Sequence, residues 1–328
     1  MSFVSIRDLT VAFDGVPVLH GIDLDIDRGE AIGLVGESGC GKSVTWLAAL
    51  GLLPGKARVQ GSVRLDGQEL IGAPRTTLEG VRGARIAMIF QDPSSSLNPV
   101  QRVGRQIGEG LRLHRGLRGA QARTEVLRLM DMVGIPDAKR RIDLYPHEFS
   151  GGQCQRIMIA MALAGQPDLL IADEPTTALD ATIQAQILDL LAGLRRQTGM
   201  AMVFISHDLG AVSAVCDRAA VMYAGRIVEA NDIDSLFAAP AHPYTHGLFR
   251  AIPDLEAGRA RLRPIEGTVP DPRALPAGCA FAPRCDAASS LCNFYAPDLK
   301  DQQSGGAVAC FHPVQSSLRH MTQQEVPA

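Results

Sequence analysis

The sequence predicts an α/β fold with a mixed sheet at its core, an antiparallel β subdomain at the N-terminus and a helical subdomain inserted after it. Three observations predict this fold. Residues 36–43 form a glycine-rich loop, short apolar runs alternate with amphipathic ones, and the first residues alternate between polar and apolar side chains. Continuous apolar runs are typical of parallel strands covered on both faces, whereas alternation is typical of antiparallel strands with one solvated face.

The first predicted element is a β-hairpin. Residues 3–28 alternate between polar and apolar side chains on both sides of Asp14-Gly15, a dipeptide that favours a tight hairpin turn. A second hairpin is predicted at residues 63–70, where Gly67 lies at the turn. Together these runs predict an antiparallel sheet.

The glycine-rich loop has the sequence GESGCGKS and fits the pattern G-x-x-x-x-G-K-S. The apolar run that begins at Ala31 predicts a buried strand before it, and a helix is predicted after it, up to Pro54-Gly55. A loop in this position turns backbone N–H groups and a helix N-terminus towards one anion, which predicts nucleoside triphosphate binding. Lys42 can reach the β- and γ-phosphates, and the Ser43 hydroxyl can bind Mg²⁺. The residues predicted to surround the nucleotide here are Gly36, Glu37, Ser38, Gly39, Cys40, Gly41, Lys42, Ser43 and Val44.

A helical subdomain is predicted over about residues 92–164. It follows an apolar run, Arg85 to Pro93, that predicts a buried strand ending in Gln91. Helical periodicity then recurs up to an apolar helix for which Ser150 is a suitable N-cap. Beyond it the chain predicts two more buried strands, with a helix over 182–197 between them, and a hairpin at Ala224-Gly225.

Polar side chains end three of the predicted buried strands. They are Gln91, the adjacent acids Asp173 and Glu174, and His207. Ligands of α/β sheets bind beyond the carboxyl ends of parallel strands, so these residues and the Lys42 loop are predicted to surround one nucleotide. Asp173 is predicted to bind Mg²⁺ and Glu174 to polarise the attacking water. Gln91 is predicted to contact the metal or that water, and His207 the γ-phosphate.

Composition restricts the partners of the chain. A net charge of −3 over 328 residues predicts no nucleic-acid-binding surface. No run approaches the eighteen apolar residues of a membrane span, and the N-terminus lacks the pattern of a secretory signal. A cytoplasmic protein is therefore expected.

Four of the seven cysteines cluster near the C-terminus, with gaps of five, six and seventeen residues. In a reducing compartment such a cluster predicts a metal site before it predicts disulfides. A [4Fe–4S] cluster tolerates this spacing and is the first prediction. Zinc is the second, since the C-x-x-C pairs usual in zinc sites are missing, and thiols without a metal are the third. The predicted ligands are Cys279, Cys285, Cys292 and Cys310, with His312 as a substitute for one of them.

The motifs in this order resemble the ATP-binding cassette (ABC) ATPases. FSGGQCQR at Phe149–Arg156 is similar to the family's signature motif, LLIADEP to its second phosphate-site motif, TALD to its D-loop and ISHD to its histidine switch. The resemblance implies ATP and Mg²⁺ as ligands and head-to-tail pairing of two cassettes. The signature residues then face the partner's ATP. By resemblance Phe13, otherwise a plain core residue, stacks on the adenine. The signature and D-loop residues are Ser150, Gly151, Gly152, Gln153 and Asp180.

Finer motifs, such as QDPSSSLNP and HPYTHGLFRAIP, resemble the oligopeptide, dipeptide and nickel import branch of ABC transporters. This resemblance implies a peripheral subunit at the cytoplasmic face of the inner membrane. Its partners would be a second, paralogous cassette, two transmembrane permeases and an extracytoplasmic binding protein. Import of peptides is expected, with nickel or another small solute as the alternative. An ABC-type ATPase that acts on DNA or ribosomes is disfavoured, because only 106 residues separate Ser43 from Ser150.

The same resemblance divides the chain into two parts. Residues 1–258 are expected to form the ATPase domain, and residues 259–328 a C-terminal extension that contains the four cysteines. The boundary is predicted near residues 255–265, where the cassette motifs have ended.

Overall fold

The structure is a computed structural model that describes residues 2–177, 179–251, 265–302 and 305–314. The predicted domain boundary between residues 258 and 259 lies outside these residues. Residues from both predicted domains nevertheless share one sheet, because strand pairs join Glu229 to Val308 and Ala230 to Ala307.

The strands of the described residues agree closely with the apolar and alternating runs of the sequence. They are β1 (Val4–Phe13), β2 (Val16–Ile26), β3 (Ala31–Val35), β4 (Ala57–Leu65), β5 (Gln68–Glu69), β6 (Ile86–Ile89), β7 (Leu169–Asp173), β8 (Ala201–Ser206), β9 (Arg218–Tyr223), β10 (Arg226–Asp232), β11 (Lys300–Asp301) and β12 (Ala307–Val308).

Two sheets form from these strands. The N-terminal sheet has the order β2-β1-β4-β5 and is antiparallel, which confirms both predicted hairpins. The main sheet has the order β11-β12-β10-β9-β3-β8-β7-β6. Its strands from β9 to β6 are parallel, whereas β10, β12 and β11 are antiparallel, so the predicted mixed sheet is confirmed.

Helices cover the main sheet and build the helical subdomain. They are α1 (Lys42–Ala49), α2 (Arg75–Val81), α3 (Pro93–Ser96), α4 (Val103–Arg115), α5 (Gly119–Met132), α6 (Ala138–Arg141), α7 (Gly151–Leu163), α8 (Ala181–Thr198), α9 (Leu209–Val215), α10 (Ile233–Ala238), α11 (Pro243–Arg250) and α12 (Ser290–Phe294).

The core lies on both faces of the main sheet. Within β3, Ile32 and Leu34 pack towards the N-terminal sheet and the fully buried Trp46 of α1, whereas Ala31 and Val35 pack towards the helical side. Strands buried on both faces must be apolar throughout, which is why β3, β7 and β8 read as continuous apolar runs rather than alternating ones. The four parallel strands β3, β8, β7 and β6 are neighbours, so their carboxyl ends meet at one edge.

Candidate ATP site at the carboxyl edge of the sheet

The phosphate loop lies between β3 and α1, as the sequence predicts. Its first glycine is required by close packing, because a Cβ on Gly36 would lie 2.2 Å from the carbonyl oxygen of Met222. At the other end of the loop, the carbonyl of Cys40 accepts a 3.0 Å hydrogen bond from the Gly225 N–H in the β9–β10 turn. The loop is therefore held against β9 and β10, and α1 begins directly at Lys42.

The Lys42 ammonium is buried and crosses the loop. It donates to the Gly36 carbonyl at 2.7 Å and to the Glu37 carbonyl at 3.1 Å. Both acceptors are at the start of the loop, so the position of the Glu37 peptide helps to set the position of the cation. A buried ammonium among phosphate-loop carbonyls is a suitable partner for a phosphate oxygen.

Asp173 ends β7 and is buried beside the phosphate loop. Burial raises the pKa of its carboxyl group, while a hydrogen bond from Ser43 and the charge of Lys42 oppose that rise. The Ser43 hydroxyl and the Asp173 carboxylate are thus in contact. Oxygen ligands of these two types are the ones that Mg²⁺ prefers, and ATP brings the remaining phosphate ligands.

The Glu174 carboxylate contacts three polar side chains at this edge of the sheet. Gln91 Nε2 and Thr177 Oγ1 each donate to Glu174 Oε2 at 2.9 Å, and His207 Nδ1 lies 3.4 Å from Oε1. The backbone of Glu174 has a φ of 47°, a left-handed conformation that non-glycine residues adopt rarely and that is concentrated at functional sites. Its N–H donates to the Ile205 carbonyl of β8 at 2.9 Å, which holds it in that conformation.

The structure therefore brings Gln91, Glu174 and His207 together as predicted, with one correction. The predicted strand that ends in Gln91 stops earlier, because β6 ends at Ile89. Phe90 is 42% exposed, so the chain has already left the buried sheet there and Gln91 lies on the loop that follows.

Thr177 is a site residue that the sequence pattern does not predict. It lies in the TALD motif, in which only Asp180 is predicted to have a role. A hydroxyl three residues after a carboxylate on a tight turn is a signal that could have suggested the contact. Asp180 is exposed and caps α8 by accepting a 3.0 Å hydrogen bond from the Ile183 N–H.

The predicted N-cap of α7 is confirmed. Ser150 Oγ accepts from the Gln153 N–H at 3.4 Å, and the Gln153 side chain accepts from the Ser150 N–H at 3.2 Å, which is a capping box. Gly152 packs on α8, since a Cβ there would lie 2.6 Å from Ile183 Cγ2. A Cβ on Gly151 would meet no described atom within 4 Å, so this helix N-terminus is open to a ligand from outside the chain.

Phe13 ends β1 and is half-buried against the core of the N-terminal sheet. It pairs with Val16 across the hairpin, and Val18 further along β2 lies against the phosphate loop, with its carbonyl 3.6 Å from a Cβ placed on Gly41. The hairpin end is therefore beside the loop, which is compatible with both the core and the base-stacking interpretation of Phe13.

The four C-terminal cysteines line one cavity, together with His312. Its volume is about 10 Å³, room for about one water molecule. Among the residues that the structure describes, no three His, Cys, Asp or Glu side chains are arranged to hold a metal ion. The described geometry therefore does not support the predicted [4Fe–4S] or zinc site, because the four thiols line a common cavity without forming a set of metal ligands.

A separate cleft of about 520 Å³ lies at the opposite end of the main sheet, lined by Gly29, Asp168 and Met200 among others. These residues precede β3, β7 and β8. Ligands of parallel sheets bind at the carboxyl ends of the strands, so this cleft is not the nucleotide site.

In the part of the chain that the structure describes, no helix is long and apolar enough to cross a membrane.

Comparisons with known families agree with the site geometry. Residues 19–177 match the model of the family described as ABC transporter. Residues 228–292 match a second model, described as the C-terminal region of oligopeptide/dipeptide transporters. The second match includes three of the four clustered cysteines.

Similar curated proteins cover nearly the whole chain. A protein of Brucella abortus named as a peptide import ATP-binding protein is 52% identical over 294 residues, which are 88% of this chain and 89% of that protein. The oligopeptide transport ATP-binding protein OppD of Salmonella typhimurium is 47% identical over 319 residues, 96% of this chain and 95% of its own.

Solved structures share the fold. An ATP-binding cassette in a dimeric, post-hydrolysis state bound to ADP and Pi has a TM-score of 0.63 at 26% identity, covering 70% of this chain and 98% of that one. The cbiO1 protein of Clostridium perfringens, part of the ABC transporter complex cbiONQ, has a TM-score of 0.64 at 28% identity, covering 72% and 91%.

The resemblance in the motifs, the cassette fold and these relatives agree. The chain binds and hydrolyses ATP, with Mg²⁺ as the metal of that reaction. It belongs to the ATP-binding subunits of ABC transporters, in the group that carries the oligopeptide/dipeptide transporter C-terminal region.

Proposed function

We propose that this chain is the ATP-hydrolysing subunit that powers import of di- and oligopeptides through a multi-subunit ABC transporter. The observation that carries the proposal is the combination, in one chain, of the strand-end groups around Glu174 with a C-terminal region of the oligopeptide/dipeptide type. Relatives named for peptide import and oligopeptide transport cover both parts.

In the proposed reaction Glu174 is the general base. Its carboxylate accepts hydrogen bonds from Gln91 and Thr177, which orient it, and it polarises the water that attacks the γ-phosphate. Lys42 and the loop amides hold the β- and γ-phosphates, and His207 contacts the γ-phosphate. Mg²⁺ would be held by Ser43 and Asp173, with Gln91 as the predicted further ligand, and it would neutralise charge on the phosphates.

A second cassette completes the proposed site. The open N-terminus of α7, with Ser150, Gly151 and Gly152, presents N–H groups and a positive dipole end that suit a γ-phosphate bound to a partner cassette. ATP then closes the pair of cassettes and hydrolysis opens it. The dimeric cassette structure with bound ADP and Pi supports this arrangement.

The further partners proposed are two transmembrane permeases and an extracytoplasmic substrate-binding protein. They place this chain at the cytoplasmic face of the inner membrane as a peripheral subunit. The second cassette is proposed to be a paralogue of this chain. Gln91 and the helical subdomain after it would receive the coupling segments of the permeases, where Phe90 and the 83% exposed Val100 offer apolar contacts.

Solute uptake tests the proposed cargo. A strain that lacks this chain is expected to lose most uptake of labelled tripeptide, because the proposed pair of cassettes cannot form without it, while uptake of radiolabelled nickel stays at the wild-type rate. The wild-type chain expressed in the same strain is the matched control. Loss of nickel uptake with normal tripeptide uptake would favour the nickel alternative instead.

We keep the [4Fe–4S] cluster, with zinc as the alternative, as a proposal for the four cysteines. Their convergence on one cavity supports it, as does the raised pKa of Cys279, Cys285 and Cys310, since buried neighbouring thiols resist ionisation until a cation binds. Protein purified without oxygen is expected to contain iron and acid-labile sulfide. Colourless protein with zinc, or with no metal, would reject the cluster.

A further inference from the structure

The C-terminal region contacts the phosphate loop directly through Arg284. Its guanidinium is bidentate to the Glu37 carboxylate, with Nη1 donating to Oε2 at 2.9 Å and Nη2 to Oε1 at 3.2 Å. The Arg284 side chain is only 6% exposed and that of Glu37 28%. Bidentate arginine–carboxylate pairs are strong and geometrically specific, so this contact fixes Glu37 relative to the C-terminal region.

Arg284 is itself held in place by the surrounding backbone and rings. Nε donates to the Glu266 carbonyl at 2.8 Å, and Nη1 also donates to the Tyr223 hydroxyl at 3.3 Å. The guanidinium carbon lies 5.8 Å from the Tyr223 ring centroid and 5.9 Å from that of Phe281. A side chain with its donors used in this way cannot easily adopt another rotamer when Glu37 changes.

Glu37 is also held through its backbone. Its N–H donates to the Tyr244 hydroxyl at 2.9 Å. The Tyr244 ring packs against Tyr223 and Phe281, with centroid distances of 4.6 and 5.4 Å. The same aromatic group therefore supports both the arginine and the tyrosine that hold this loop residue.

The position of Glu37 matters for ATP because of Lys42. The Lys42 ammonium donates to the carbonyls of Gly36 and Glu37, so movement of this peptide would displace the cation that meets the phosphates. We propose that Arg284 is a positioning residue for ATP: by fixing Glu37 it holds the start of the phosphate loop, which makes the C-terminal region a requirement for tight nucleotide binding. The inference concerns the ATP site alone and does not depend on which solute is imported.

The alternative is that Arg284 only anchors the C-terminal region to the cassette. An anchor of that kind contributes to the melting temperature but leaves the affinity for ATP unchanged. A positioning residue changes the affinity and the KM for ATP, while kcat at saturating ATP stays near wild type, because the groups around Glu174 are outside this set of contacts.

The test is a double-mutant cycle in the assembled transporter, with Arg284→Gln, Glu37→Gln and both together. The dissociation constant for MgATP is measured by displacement of a fluorescent ATP analogue, and KM, kcat and the melting temperature are measured on the same samples. Each single variant is expected to raise the dissociation constant and KM on the order of tenfold, the size expected for loss of one charge-assisted contact. The double variant removes both charges and is expected to be no weaker than Arg284→Gln alone.

Arg273→Gln is the matched control, since Arg273 is an exposed arginine of the same region, and its ATP affinity is expected to equal that of the wild type. An unchanged dissociation constant with a lower melting temperature in Arg284→Gln would overturn the proposal in favour of the anchor. Additive losses in the double variant would also overturn it, because the two side chains would then act independently.

Discussion

Replacing Glu174 with glutamine is expected to leave ATP binding intact and to slow hydrolysis at least ~10²-fold, the usual contribution of a positioned general base. Glutamine has the shape of glutamate and can keep one hydrogen bond to Gln91 or Thr177, but it cannot accept the proton of the attacking water. ATPase turnover of the assembled transporter and the amount of bound nucleotide are the measurements.

The matched control for this variant is Glu79→Gln. Glu79 is an exposed acid of α2 that pairs with Arg75 at 2.7 Å. Since α2 precedes the amino end of β6, whereas the site lies at the carboxyl ends of the strands, the loss of Glu79 is expected to leave turnover unchanged. Near-normal turnover of Glu174→Gln would reject Glu174 as the base.

Replacing Gly151 with aspartate is expected to reduce ATPase turnover on the order of 10²-fold, the size of effect seen when stabilisation of a reacting phosphate or oxyanion is removed. The added Cβ meets no described atom, and an acid in the first turn suits a helix, so the subunit is expected to fold and to bind ATP at its own loop. Its carboxylate would face the γ-phosphate held by the partner cassette and repel it. Turnover and nucleotide binding are measured on the same preparation.

Gly80→Asp is the charge control, because Gly80 is exposed on α2 and a Cβ there also meets no atom within 4 Å. Gly152→Val is the opposite case. Its Cβ would lie 2.6 Å from Ile183 Cγ2, so it is expected to lower the melting temperature as well as turnover. Full activity of Gly151→Asp would contradict the composite site.

Much of the fold follows from local sequence pattern. The continuous apolar runs of β3, β7 and β8 are buried on both faces, and the turns at Asp14-Gly15 and Ala224-Gly225 join antiparallel strands as predicted. These features depend on side-chain period and turn chemistry, which are encoded within a few residues. The end of β6 could not be predicted from local pattern, because the residue at which a strand leaves the sheet depends on the elements that pack against it.

The candidate site was predictable where residues lie at strand ends. Topology then brings Gln91, Glu174 and His207 to one edge, although they are far apart in sequence. The contact of Thr177 with Glu174 is local, and the spacing of three residues could have indicated it. The pair of Arg284 with Glu37 was not predictable, because it joins side chains of two distant segments. No local period or motif encodes a pair separated by 247 residues.

The cysteine cluster was also predictable only in part. Spacing along the chain predicts that four thiols can meet, and they do line one cavity. Whether they can hold a metal depends on how the four thiols are arranged around it. A cavity of about 10 Å³ is set by the packing of Phe281, Pro297 and other neighbours rather than by the gaps between cysteines.

Peptide transport by the purified complex in lipid vesicles tests the central claim, that ATP hydrolysis at this site drives import. ATP is supplied on the side of this subunit, and labelled tripeptide with the binding protein on the other side. The wild-type complex is expected to accumulate peptide in proportion to the phosphate released. The Glu174→Gln complex is expected to bind ATP and transport no more peptide than vesicles without ATP. Peptide accumulation by the variant at the wild-type rate, or phosphate release by the wild type without any transport of peptide, would contradict the account.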